Sequence, residues 1–114
     1  MYITSDCKFF DKANAAGVSK NEIVNGNKGS MTVVEVSGGT GCEVAIQGRI
    51  LHGVGEWHNI ALINMSTLEI AKTMTDNGIY SGDVNGLCDI RANVITYGSG
   101  DLTVYGKVGY EYGA

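Results

Sequence analysis

From residue 31 to residue 108 the chain alternates apolar and polar residues in short runs, and glycine or asparagine-glycine breaks separate the runs. A two-residue period sends successive side chains to opposite faces of an extended strand, and a helix, whose faces repeat every 3.6 residues, cannot satisfy it. In "CEVAIQGRI" (42–50), Cys42, Val44, Ile46, Gly48 and Ile50 fall on one face and Glu43, Ala45, Gln47 and Arg49 on the other. "CDIRANVITY" (88–97) and "DLTVYGKV" (101–108) divide in the same way. Cys88, Ile90, Ala92 and Val94 share an apolar face, as do Leu102, Val104, Gly106 and Val108; Asp89, Arg91, Asn93, Thr103, Tyr105 and Lys107 are assigned to water. With "MTVVEV" (31–36), "WHNIALIN" (57–64), "STLEIAKT" (66–73) and "GIYSGDV" (78–84) there are about seven or eight short strands. Spaced roughly 8 to 12 residues apart, such strands predict an all-β chain folded as an antiparallel β-sandwich, jelly-roll-like in type.

Punctuation agrees with this. The chain has 17 glycines and no proline, so it can turn tightly without removing any ladder N–H. "SGGTG" (37–41), "DNG" (76–78), "VNG" (84–86) and "GSGD" (98–101) are read as turns, with Tyr97 and Tyr105 on neighbouring strands joined by the last of them. Gly48 and Gly106 lie inside strand patterns, where close backbone approach or a bulge is the usual cause. Residues 1–30 lack sustained alternation and are expected to form an extended N-terminal arm leading into a first strand, ahead of a sandwich domain at 31–114. A short helix competes only at 8–20, where Gly17 opposes it.

Composition narrows function mainly by exclusion. Apolar residues make up 44% and charged residues 18%, which suits a packed core and not a disordered chain. Twelve acids against eight dispersed bases give a formal net charge of −4, a balance without the clustered cations that nucleic acid requires. "MYITSDCKFF" has neither a basic start nor a long apolar run, and no stretch approaches the ~20 apolar residues of a membrane span, so synthesis in the cytosol is expected. Cys7, Cys42 and Cys88 cannot all pair with one another and form no CxxC, which reads as small buried thiols.

The residues offer four candidate chemistries. His52, Glu56 and His58 lie within seven residues and could converge on zinc, though histidines beside a turn are commoner as surface groups. "SGGTGCE" (37–43) has the look of a calcium-binding turn, but a single copy lacks the tandem stacking such sites need. Cys42 or Cys88 with His52 or His58 is formally a nucleophile pair, yet each cysteine falls on an apolar face, and no GxSxG, HExxH or P-loop pattern occurs. Tyr97 and Tyr105 could form a platform for sugar rings or a protein contact, with Trp57 a further candidate for the sugar, although its place at a strand start beside an apolar run is read as core. No catalytic residue, cofactor or metal is therefore assigned.

The segments "DCKFFDKANAAGVSKNEIV", "EVAIQGRILHGVGEWHNIALIN" and "TDNGIYSGDVNGLCDIRANVITYGSGDLTVYGKV" together resemble small virion proteins of tailed bacteriophages, of the capsid decoration or stabilising and head-fibre type. The cadence "G-x-Y", "V-x-G", "IRANV" and "G-x-L-x-V-x-G" carries the resemblance over roughly residues 30 to 108. It implies a non-enzymatic β-sandwich bound to the outside of a capsid, with the major capsid protein as partner, commonly as a homotrimer. On this reading the contacts come from the arm and the aromatic faces: Tyr2, Phe9, Phe10, Tyr97, Tyr105, Tyr110 and Tyr112. A carbohydrate-binding module recognising host-surface glycans, or a tail or baseplate subunit, stands as the alternative.

Overall fold

The computed structural model describes residues 2–20, 22–23 and 30–111. Among the described residues eleven strands form two antiparallel sheets. The larger runs in the order β1 (Tyr2–Ala13), β11 (Ser99–Glu111), β4 (Met31–Thr40), β9 (Gly78–Asp83), β7 (Leu62–Asn64) and β8 (Ile70–Ala71). In the smaller, β10 (Asp89–Thr96) lies between β5 (Glu43–Arg49) and two short pieces on its other edge, β2 (Gly17–Val18) and β3 (Glu22–Ile23), while β6 (His58–Asn59) extends the sheet beyond β5. Pairing is nested: β1 with β11, β2 and β3 with β10, β4 with β9, and β5 with β6. One long hairpin rolled over on itself gives this order, which is a jelly roll.

Alternation becomes burial in the expected way. Thr32, Val34 and Val36 of β4 point inward and Met31, Val33 and Glu35 outward. Val34, Val36, Leu102, Val104 and Val108 of the larger sheet meet Val44, Ile46, Ile90, Ala92 and Val94 of the smaller, and Met74 and Val84 close the core between them. Buried Thr32 is satisfied by donating from Oγ1 to the Lys107 carbonyl at 2.9 Å.

Several expectations are corrected. Residues 2–13 are an edge strand of the larger sheet, with Cys7 and Phe9 in the core, so the amino-terminal segment is part of the sandwich and not an arm laid upon it. "SGGTG" is no hairpin turn: β4 continues through it to Thr40, paired with Ser99 and Gly100, and the chain then crosses to the other sheet. Gly38 and Gly100 both have positive φ here (78° and 91°), and a side chain on either would strike the opposite backbone. Ile50 follows the last residue of β5 and is exposed, because the two-residue rule lapses where the ladder ends. Ala45 is buried on the nominally wet face, its methyl shorter than the Glu43, Gln47 and Asn93 side chains around it. Asp89, also assigned to water, is fully buried, for a reason that defines the site below.

Candidate functional site

The outer face of the smaller sheet carries the chain's one extended side-chain network among the described residues. Register sets Gln47 opposite Arg91 and Arg49 opposite Asp89 on β5 and β10, and Asn59 of β6 opposite Gln47. Residues 50–57 leave β5, turn through a Leu51–Val54 bridge with Gly53 and Gly55 at positive φ, and come back across this face. That return covers Asp89, bringing His52 to its carboxylate and Trp57 onto the two arginines.

Asp89 accepts from Arg49 Nε at Oδ2 and from His52 Nδ1 at Oδ1, each at 2.8 Å. An ionised carboxylate only accepts, so His52 carries its proton on Nδ1 and turns Nε2 away from Asp89. Burial by itself would raise the Asp89 pKa, but the hydrogen bonds from His52 and Arg49, the charge of His52 and the Gly53 N–H outweigh it and hold the carboxyl below its ordinary value. Arg91 donates from Nε to Gln47 Oε1 at 2.8 Å, and Gln47 passes the chain on from Nε2 to Asn59 Oδ1 at 3.0 Å. The Trp57 ring centre lies 4.4 Å from the Arg49 guanidinium carbon and 4.3 Å from that of Arg91, within cation–π range of both. Burial first, and then the neighbouring Arg49 charge, draw the Arg91 pKa down. Arg49 and His52 thus share the Asp89 carboxylate, while Arg91, beside them, is held by Gln47.

Among the described residues the group able to hold a metal ion is His52, Cys88 and Asp89, whose donor atoms lie within 4.8 Å of one another, and not His52, Glu56 and His58. Both oxygens of Asp89 are already engaged, and Arg49 sits against one of them, so the local field opposes a cation. The same three residues suggest a thiol nucleophile with an oriented imidazole, but no hydrogen bond joins the Cys88 thiol to His52 among the described residues. Beside the network a cleft of about 560 Å³ is lined by Arg49, Leu51, Glu56, His58, Asn59 and Asp83, among others.

The aromatic residues assigned to contacts separate in the structure. Phe9 is a core residue, packed over Gly106, and has no outer surface to offer. Phe10 and Tyr97 are half-buried against the core, and the Tyr97 hydroxyl donates to the Gly100 carbonyl. Tyr105 is half-exposed on the outer face of the larger sheet, with the Lys8 ammonium 5.9 Å from its ring centre. Tyr97 and Tyr105 therefore form no cross-strand pair: β10 and β11 follow one another in sequence but belong to different sheets. Tyr2 and Tyr110 are placed only through the register of β1 with β11, and Tyr112 lies outside the described residues. Trp57, expected in the core, is instead half-exposed on the polar face. Sequence could not link Trp57 to Arg49 and Arg91, since a loop of no regular period connects them.

Fold and network place the chain among jelly-roll proteins with a charged, aromatic outer face. Its structure is similar to that of the SPBc2 prophage-derived protein YomS, with a TM-score of 0.81, 19% identity, and coverage of 96% of this chain and 95% of that one. It is also similar to part of the PBSX exported protein XepA, with a TM-score of 0.85 and 23% identity over 95% of this chain, which spans 38% of XepA. A subunit of the disulfide-linked pili of Bacillus endospore appendages is more distant, with a TM-score of 0.53 and 11% identity over 99% of this chain and 87% of that one. No protein-family model and no curated protein sequence matches the chain.

Proposed function

We propose that this chain is a bacteriophage structural protein that acts by contact and not by catalysis, most specifically a decoration subunit on the outside of the head. The carrying observation is the jelly roll shared, nearly end to end, with a prophage-derived protein. A second feature supports a role by contact. On the outer face of the larger sheet Val33 is opposite Ser81, Ser81 opposite Ile63, and Ile63 opposite Ile70, with Ile79 on the neighbouring row and all four aliphatic side chains exposed. An exposed patch with an aliphatic side chain from each of four strands, Ser81 set among them, is the kind of surface that protein contacts cover. The half-exposed Tyr105 borders it, opposite Glu35, and a groove of about 350 Å³ there is lined by Asp6, Lys8, Val33, Glu35, Ile79 and Tyr105, among others. On this reading the subunit seats its larger sheet on the major capsid protein or on its own copies, as a homotrimer.

Gradient-purified particles from the host that carries the gene test the proposal. Mass spectrometry is expected to find the chain in the particles, and immunogold labelling to place it on heads. Labelled tails would overturn the decoration role, and absence from washed particles would overturn the structural role.

A further inference from the structure

The Arg49, Trp57 and Arg91 cluster does no work in a contact made by the opposite sheet, and its charge is unbalanced. Arg49 shares Asp89 with His52, and among the described residues Arg91 has no carboxylate at all. Its Nε is committed to Gln47, which leaves the remaining guanidinium donors of a half-buried arginine without an acid among the described residues, in a chain whose formal charge is −4. A partly desolvated cation held beside a like charge gains most from an incoming anion, and a guanidinium fork matches a carboxylate or a phosphate in two parallel hydrogen bonds.

The surroundings specify what carries that anion. Trp57 is half-exposed and offers what its two guanidinium neighbours leave uncovered; Gln47, Asn59 and His58 offer paired donors and acceptors of the kind that sugar hydroxyls use; and the adjoining cleft, which shares Arg49 and Asn59 with the network, is roomy enough for a ring. Glu56 and Asp83 also line that cleft, so a densely charged polyanion such as nucleic acid is repelled where a sugar with one acidic group is not. We infer that the outer face of the smaller sheet binds an acidic saccharide, with its carboxylate or phosphate on Arg91 and its ring against Trp57. The inference is independent of where the protein sits in a particle.

Trp57 is the single tryptophan of the chain, so its emission reports this site alone. Full-length protein is titrated with hyaluronan tetrasaccharide, which carries carboxylates, with a mannose 6-phosphate oligosaccharide, with neutral chitotetraose and with an oligoglutamate peptide. A saturable change in emission with one or both acidic sugars is expected, the two arms telling carboxylate from phosphate, and none with chitotetraose or oligoglutamate. Arg91→Gln should weaken binding by at least about tenfold, the loss of a charge-assisted pair. Asn59→Ala, at an exposed position, should also weaken it without touching the core. No response to either acidic sugar, an equal response to chitotetraose or oligoglutamate, or full affinity in folded Arg91→Gln or Asn59→Ala would overturn the inference.

Discussion

Arg49 and Asp89 face each other across the β5–β10 ladder, joined Nε to Oδ2 at 2.8 Å, with Asp89 wholly out of water and the Arg49 side chain only 10% exposed. A pair so enclosed is most costly to break from one side, because the surviving charge is left buried and alone. Asp89→Ala is therefore expected to lower the unfolding free energy by about 3–5 kcal/mol, measured by urea denaturation. A variant within about 0.5 kcal/mol of the parent, the range of ordinary surface substitutions, would contradict the pair's structural role.

The same carboxylate gives the protein an acid limit. Its folded pKa lies below the unfolded value, so the associated stability is complete above about pH 4 and drains away as the pH falls through the depressed folded value. Denaturation midpoints should fall through this window in the parent protein. In Asp89→Asn the fall should be shallower.

A methyl group at Gly106 would fit only tightly, since a Cβ there would stand 3.1 Å from the Phe9 ring and 3.2 Å from the Val33 carbonyl oxygen, and both neighbours would have to give way. Gly106→Ala should destabilise by about 1–3 kcal/mol through overpacking. Phe9→Ala, which opens a cavity at the same contact, should cost about 3–5 kcal/mol. Deleting residues 2–13 should abolish cooperative unfolding, seen as loss of a sharp thermal transition; a truncated chain that still melted cooperatively would return this segment to the status of a detachable arm.

Thiol reactivity should follow burial. Cys7 and Cys42 are buried and Cys88 is half-buried, so Ellman's reagent should label Cys88 first and the other two only as the protein unfolds. Three equally fast thiols would contradict the packing of both sheets.

Val33→Lys and Ile79→Lys place charge on the apolar outer face while leaving inward side chains untouched. Stability should change by no more than about 0.5 kcal/mol, whereas self-association, followed by light scattering after size exclusion, and attachment to purified heads should drop sharply. Unchanged association in both variants would move the contact to another face.

Which side chains face inward was legible wherever a strand ran long enough to show its period: Val44, Ile46, Ile90, Val94, Leu102 and Val104 all fall in the core as the alternation predicts. Partners were not legible, because alternation reports a face and is silent on the neighbour. Tyr97 and Tyr105 show the difference, being close in sequence and in separate sheets. Asp89 escaped for a related reason: its burial is imposed by a loop of 50–57 that no periodicity describes. Phe9 was missed because β1 changes register twice, between Lys8 and Phe10 and between Phe10 and Ala13, which blurs its alternation.

The pairing of β1 with β11 has a consequence for how the molecule comes into being. Tyr2 stands opposite Glu111, so β1 finds its mate only in β11, after every other strand of the roll has been made. Until β11 is in place Cys7 and Phe9 have no wall to rest on, and the roll stays unclosed. The sandwich is thus sealed by its most distant pairing in sequence, the kind of contact whose long loop closure slows folding.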